Sequence, residues 1–305
     1  MTDTPAWNEN VFLPETTGGK KKRIYEVDLL RALPLFLVVL FHLCYDMSIL
    51  PQLIANYREV VVDYPSLHHL VLFCSDIMTN EIIHDYLVPF FAGMFLFACG
   101  VSTVLSRNNL KRALVLCLWS LLLSLGSFLL SDLLGTNVFI GWGILHIMGF
   151  SILCYSLIEI LCRKAFQREV PALLCLGIGI LVYLFGLLLR SGFVGPAWPV
   201  RYVRGTLLEW LEVNPLAFLY SALGYYGNSV DWWPIFPYLG VIFIGIAFGK
   251  GLYAEKKESR LPFLGKKAFK PLLFLGGHTI WVYLLHQPVI IVVLYLVLSS
   301  MGFHL

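Results

Sequence analysis

Residues 25–46, YEVDLLRALPLFLVVLFHLCYD, decide the fold class of this chain. They belong to an apolar run from Leu29 to Leu50, which is long enough to cross the ~30 Å hydrocarbon core of a bilayer as a helix. The run nevertheless contains Arg31 and His42. An ionisable side chain within a bilayer costs about 2.5–3.5 kcal/mol on insertion scales, so it normally faces a polar cavity. The stretch therefore predicts a membrane-spanning helix with one functional face.

The composition of the whole chain agrees with a membrane protein. Its 305 residues are 58% hydrophobic and 13% charged, with a mean hydropathy of +0.78, which excludes an ordinary soluble domain. We predict an all-α, polytopic transmembrane bundle of about seven spans. The apolar runs lie at 29–50, 86–106, 113–131, 138–161, 171–190, 234–252 and 272–300. The last run is long enough to tilt or kink.

The positions of Lys and Arg predict the orientation of the bundle, because cytoplasmic loops are enriched in both residues. If the cluster Lys20–Arg23 is cytoplasmic, alternation of the spans places most other basic residues on the same side. The formal charge of +3 then reflects these loops, so no nucleic-acid partner is expected. We expect residues 1–23 to be a disordered cytoplasmic tail and residues 24–305 to form the membrane domain. No cleavable signal peptide is expected, because the first apolar run is a full span with basic flanks.

Two segments expected on the outer side, 51–84 and 191–233, are longer than simple connections, and loops of that length tend to be functional. The first contains His68 and His69. The second is rich in Trp and Tyr, which favours an anchor at the membrane interface over stacking on a sugar. Glu81 and His84 have the Glu-x-x-His spacing of di-iron bundles, but that site needs a second such pair. We therefore predict no metal.

Four polar residues of the first span share one helix face. Arg31 and His42 are eleven residues apart, which is about three helical turns and about 16 Å. Asp28 precedes Arg31 by three residues and Asp46 follows His42 by four, both neighbour spacings on a helix. Pro34, between them, is expected to bend the helix. A neutral imidazole is a suitable general base near pH 7, and a carboxylate beside it is able to hold its tautomer.

Purely structural roles for the polar residues of this face stay open as alternatives. Arg31 is able to reach the inner interface along its aliphatic stem, and His42 is able to satisfy a neighbouring helix without doing chemistry. His146 and His286 are expected at a similar depth in other spans, where structural hydrogen bonding is an equal alternative. Pro288 is expected to kink the last span beside His286 and to leave a carbonyl free.

The motifs of the chain resemble those of membrane acyltransferases. The segment 25–46 is similar to the opening span of the bacterial relatives of heparan-alpha-glucosaminide N-acetyltransferase. Four further blocks resemble that family in the same order. They are HDYLVPFFAGMFLFACGVSTVLS at 84–106, GWGILHIMG at 141–149, PIFPYLGVIFIGIAFGK at 234–250 and GGHTIWVYLLHQPV at 276–289. The segments 51–84 and 191–233 lie outside the resemblance. Ala32 stands where the family usually has Gly.

The resemblance implies the chemistry of the site. Acetyl-CoA is the expected acyl donor from the cytoplasmic side, and Arg31 with Asp28 is expected to bind it. His42 is the expected catalytic histidine, with Asp46 beside it. A substrate cavity is expected around Asp85, His146, His286 and Gln287. In the lysosomal member the active histidine follows the first span, so His68 or His69 is the alternative.

The implied acceptor is a sugar or polysaccharide on the far side of a bacterial cytoplasmic membrane, acylated at an amine or a hydroxyl. Two routes stay open, direct transfer within a ternary complex and transfer through an acyl-histidine intermediate. A homodimer is compatible with the family. A proton-coupled transporter that uses the same histidines is the rival function, and it predicts broken helices in repeats.

Overall fold

The computed structural model of the protein describes residues 23–134, 138–192, 231–253 and 258–304, together with Ala222. Regular structure in these ranges is helical throughout. The α-helices are α1 (Tyr25–Leu53), α2 (Tyr57–Val60), α3 (Pro65–Thr79), α4 (Val88–Val104), α5 (Asn109–Leu134), α6 (Ile144–Phe166), α7 (Ala172–Gly192), α8 (Ile235–Tyr253), α9 (Lys270–Gly277) and α10 (Thr279–Ser300). A π-helical turn, Ile83–Leu87, leads directly into α4. The predicted all-α fold is therefore confirmed.

Each of the seven predicted spans is mainly helical, although the last one is divided between two helices. Among the described residues, six are long and apolar enough to cross a membrane: α1, α4 with its π-helical turn, α5, α6, α8 and α10. The remaining predicted span is α7, an apolar helix of 21 residues. Leucine side chains along α5 point outward, with Leu118, Leu121 and Leu129 more than half exposed. In a lipid environment such a surface needs no protein partner, so the chain is an integral membrane protein.

The helix ends define two ends of the bundle. The basic end contains the start of α1, the start of α5 and the end of α8; Lys111, Arg112 and Lys250 lie there. At this end the buried carboxylate of Glu26 accepts hydrogen bonds from the Tyr253 hydroxyl (2.9 Å) and the Arg260 backbone N–H (2.7 Å). The opposite end contains the ends of α1 and α10, which the Asn56 amide joins by donating to the Gly302 carbonyl (3.0 Å). The helices α1 and α10 therefore run parallel.

The helix α8 packs most extensively against α7 and α4. It approaches α4 so closely because both helices have a glycine at the crossing, Gly100 and Gly245. A Cβ atom at residue 100 would overlap the carbonyl oxygen of Ile242, and one at residue 245 would overlap that of Phe97. Small residues of this kind allow membrane helices to pack backbone to backbone.

Replacement of Gly100 by alanine is expected to lower the free energy of unfolding by about 1–3 kcal/mol, because the methyl group meets backbone atoms that cannot rotate away. Gly93→Ala, on the same helix, is the matched control, since nothing lies within 4 Å of a Cβ atom there. Thermal unfolding of both variants in detergent measures the difference. Equal transition temperatures would contradict the close crossing.

The last predicted run differs from its expectation. It breaks at His278 into the separate helices α9 and α10, whereas α10 continues through Pro288, where a kink was expected. The helix α1 likewise continues through Pro34. The predicted fourth span begins late, because residues 138–143 are not helical.

The predicted outer segments have different outcomes. Segment 51–84 contains α2, α3 and the beginning of the π-helical turn, and α3 packs against α1. Most of segment 191–233 and the predicted tail at 1–22 lie outside the described residues.

Candidate active site

The polar face of α1 is directed at α9 and α10 along its whole length. The backbone of Asp28 touches Gly276 of α9, and Arg31 lies beside the α9–α10 junction. About three turns further along α1, the ring of His42 contacts that of His286 on α10. Asp46 continues the series with a contact to Gln287. The four residues that the sequence places on one face of α1 therefore all lie against the segment formed by α9 and α10.

Asp28 organises the arginines at the basic end. Its buried carboxylate forms ion pairs with both Arg23 and Arg31. Arg23 also donates to the carbonyl oxygen of Leu273 on α9, which ties that helix to the start of α1. The Nε atom of Arg31 is buried and has no hydrogen-bond partner within the described part of the chain. Asp28 thus fixes the guanidinium of Arg31 while one of its donors stays available.

A cavity of about 390 Å³ opens beside Arg31. It extends along α4 from Phe95 to Ser102, seven residues and about 10 Å along the helix, and continues past the helix end to Leu105 and Ser106. Its polar lining consists of Arg31, Ser102, Ser106, Arg112, His278 and Thr279. The rest of its lining is apolar and includes Phe95, Leu116, Met148 and Ile280. The cavity therefore offers both polar and apolar contacts.

Arg112 is the second cation of the cavity, and the sequence analysis assigned it only to a cytoplasmic loop. Its side chain donates a weak hydrogen bond to the Cys99 sulfur at 3.8 Å. Within the described residues it forms no ion pair with a carboxylate, so its charge is not neutralised as that of Arg31 is by Asp28. The two guanidinium groups make the cavity a site for an anion.

His42 and His286 form a pair with ring centroids 4.9 Å apart. The Nδ1 atom of His42 lies 2.9 Å from the Val38 carbonyl oxygen, and that of His286 lies 2.6 Å from the Tyr283 carbonyl oxygen. A carbonyl oxygen only accepts, so each Nδ1 carries the hydrogen and each Nε2 carries a lone pair. Both rings therefore present the nitrogen that a base uses.

Asp46 does not hold His42 directly, as the sequence spacing suggested, because the Val38 carbonyl occupies its Nδ1 atom. Both oxygens of the buried Asp46 carboxylate accept from the Nε2 amide of Gln287, each at 2.9 Å. This contact joins α1 to α10 one turn beyond the histidine pair. Asp46 therefore positions the helix that carries His286.

His146 lies away from the pair and is used structurally. Its Nδ1 atom accepts from the Gly143 backbone N–H at 3.0 Å, and its Nε2 atom lies 2.9 Å from the Ser124 hydroxyl oxygen. With both nitrogens engaged, the ring fixes the start of α6 against α5. Of the three histidines expected around one cavity, only His42 and His286 lie together, and neither of them lines the cavity beside Arg31.

The remaining candidates lie near the surface. His84 is exposed on the π-helical turn, and its ring packs 5.4 Å from that of Phe41, beside His42. Asp85 follows it and is also exposed. His68 and His69 are exposed on α3, with ring centroids 6.4 Å apart. The described part of the chain contains no group of three or more His, Cys, Asp or Glu side chains that is able to hold a metal ion.

The chain matches the model of a known family. The family model of the catalytic region of heparan-alpha-glucosaminide N-acetyltransferase matches residues 66–288. The chain belongs to this family. No curated protein and no solved structure gives a significant match. Membership of the heparan-alpha-glucosaminide N-acetyltransferase family supports acetyltransferase activity in general, in a chain that spans a membrane.

The extent of the match corrects one expectation. Residues 66–84 and 191–233, which the sequence resemblance left out, lie within the matched range. The range begins at Ser66, so it includes His68, His69 and His286 but neither Arg31 nor His42. The assignment of Arg31 and His42 therefore rests on their geometry opposite the matched helix α10.

Sequence reasoning missed Asp231, which joins α6 to α10. Its carboxylate accepts from the Ile144 backbone N–H (3.1 Å), the Trp233 indole N–H (2.5 Å) and the Tyr283 hydroxyl (2.6 Å). Because the Tyr283 carbonyl holds His286, Asp231 also contributes to the position of that ring. In sequence, Asp231 stands out only by preceding Trp232 and Trp233 before the sixth apolar run, which does not indicate its contacts with α6 and α10.

Asp231→Ala is expected to lower the free energy of unfolding by about 2–4 kcal/mol, because three donors lose a charged acceptor at once. The control is Asp76→Ala, which removes an exposed carboxylate from α3 and is expected to be nearly neutral. Thermal unfolding in detergent measures both. A loss no larger for Asp231 than for Asp76 would show that the three hydrogen bonds contribute little.

Proposed function

We propose that this protein transfers an acetyl group from cytoplasmic acetyl-CoA to an amine or hydroxyl of a sugar or polysaccharide outside a bacterial cytoplasmic membrane. The basic end of the bundle then faces the cytoplasm, in agreement with the enrichment of Lys and Arg in cytoplasmic loops. The observation that carries the proposal is the cavity at this end, which is lined by Arg31 and Arg112.

The donor site follows from the charges of the cavity. Coenzyme A carries several phosphate groups, and a guanidinium group binds phosphate through directed, charge-assisted hydrogen bonds. Within the described residues, the Nε donor of Arg31 has no partner and Arg112 has no carboxylate partner. The cavity also has apolar lining, such as Phe95 on α4 and Ile280 on α10, which suits an uncharged part of the donor. Acetyl-CoA combines phosphate groups with such a part.

The histidine pair supplies the chemistry. In direct transfer, the Nε2 atom of His42 accepts the proton of the acceptor amine or hydroxyl as its nitrogen or oxygen attacks the thioester carbonyl carbon. The new bond to the carbonyl carbon replaces the carbon–sulfur bond, and the proton passes to the leaving thiolate to give free coenzyme A. Neither histidine lines the cavity, and its nearest lining residue on α10, Trp281, is five residues and about 8 Å along the helix from His286. Transfer in this scheme therefore requires the thioester and the histidine pair to approach each other.

Arg112→Gln is expected to raise the dissociation constant of coenzyme A about tenfold or more, because it removes a charge-assisted contact. The matched control is Lys111→Gln. Lys111 is the adjacent residue on α5, has the same charge and does not line this cavity. Stabilisation of the detergent-solubilised protein against heat by coenzyme A measures the constant. Equal effects of the two substitutions would argue against the cavity as the donor site.

His42→Ala is expected to abolish release of coenzyme A from acetyl-CoA in the presence of sugar acceptors while binding of coenzyme A persists, because the base is lost and the arginines are intact. The exposed His304 gives the control, His304→Asn. The assay records free thiol with a panel of sugars. Radiolabelled acetyl-CoA without acceptor separates the two routes, since only an acyl-histidine intermediate leaves label on the protein. Full activity of His42→Ala would refute its catalytic role.

A further inference from the structure

Two hydrogen-bond acceptors lie buried beside His42 without a donor in the described part of the chain. They are the Nε2 atom of His286 and the Oε1 atom of Gln287, on consecutive residues of α10. Buried polar atoms in native proteins almost always have a partner, so each such atom calls for an explanation.

The identity of both atoms as acceptors follows from their neighbours. Asp46, as a carboxylate, only accepts, so the amide nitrogen of Gln287 must face it and Oε1 must face away. The Tyr283 carbonyl also only accepts, so the neutral ring of His286 uses its hydrogen there and keeps a lone pair on Nε2. Reversing the Gln287 amide, or moving the hydrogen of His286 to Nε2, would set two acceptors against each other.

The unpartnered atom of the donor cavity has the opposite character. The Nε atom of Arg31 is a hydrogen-bond donor and requires an acceptor such as a phosphate oxygen. The atoms beside His42 require a ligand that supplies hydrogens. The two ends of the polar face of α1 therefore bind groups of different chemistry.

We propose that His286 and Gln287 determine the specificity for the acceptor, by binding a second hydrogen-donating group next to the reacting one. This inference rests on the proposed function. The Nε2 atom of His42 takes the reacting proton, whereas His286 Nε2 and Gln287 Oε1 accept hydrogens from the neighbouring hydroxyl or from the remaining hydrogen of the amine. The acceptor class is an amino sugar or a sugar with adjacent hydroxyl groups. A simple alcohol or amine with a single donating group leaves the two buried acceptors unsatisfied and reacts poorly.

The test compares D-glucosamine and D-glucose with ethylamine and ethanol as acceptors for the full-length protein in detergent. Free coenzyme A is recorded as a function of acceptor concentration. The wild-type protein is expected to prefer the better sugar over the simple compounds by at least about tenfold in kcat/KM, since a site built to hydrogen-bond its substrate rejects analogues that lack the donor.

His286→Ala and Gln287→Ala are expected to lose this preference, mainly through a higher KM for the sugar, while the dissociation constant of coenzyme A stays within about twofold of wild type. His304→Asn and Gln52→Ala, at exposed positions, are the controls and are expected to keep the preference. A Gln287→Ala protein that unfolds early is replaced by Gln287→Lys, which keeps a hydrogen donor for Asp46 and removes the acceptor.

Each other outcome overturns a specific statement. Equal use of ethylamine and D-glucosamine by the wild-type protein, or transfer to none of the four compounds despite tight binding of coenzyme A, refutes the acceptor class. An unchanged sugar preference in both variants refutes the role of His286 and Gln287. Absence of any binding of coenzyme A to the wild-type protein refutes the proposed function itself, before acceptors are compared.

Discussion

Charged and polar side chains on α1 are stable inside an apolar bundle only because each of them finds a partner. Asp28 neutralises Arg23 and Arg31, and the Gln287 amide occupies both oxygens of Asp46. An unpaired charge in a non-polar environment would cost several kcal/mol, so the rest of the bundle must keep these partners in register. The position of α9 and α10 along α1 follows from that requirement.

Because the chain breaks at His278, α9 and α10 contact the polar face of α1 at two different positions along its length. The helix α9 packs against the start of α1 through Gly276. A separate helix, α10, follows the break. Its residues Ile280 and Trp281 line the cavity, and its His286 meets His42. A continuous helix would present its residues at a fixed rotation of about 100° each. The interruption frees α10 from the rotation of α9, so that the cavity and the histidine pair both face α1.

The stripe on α1 could be predicted because helix periodicity alone places residues three, four and eleven apart on one face. The partner that each of these residues contacts could not be predicted in this way. Asp46 was expected to hold His42, yet a backbone carbonyl of the same helix does so, and Asp46 binds Gln287 instead. Arg112 and Asp231 lie far from α1 in sequence, and nothing in their local sequence indicates a contact with α4 or α10. His146 and His286 were expected at a similar depth in the membrane, but Gly143 and Ser124 occupy both nitrogens of His146.

The sequence by itself determined the class of the protein, its apolar runs and the face of α1 that carries the polar residues, because composition and helical spacing are local properties. The tertiary structure alone decided which histidine joins His42, where two arginines meet in one cavity and which polar atoms lack partners. These features depend on contacts between helices far apart in the sequence, such as that of Asp46 with Gln287. The physical reason is that hydrogen-bond partners are chosen by packing, and packing is a property of the whole bundle.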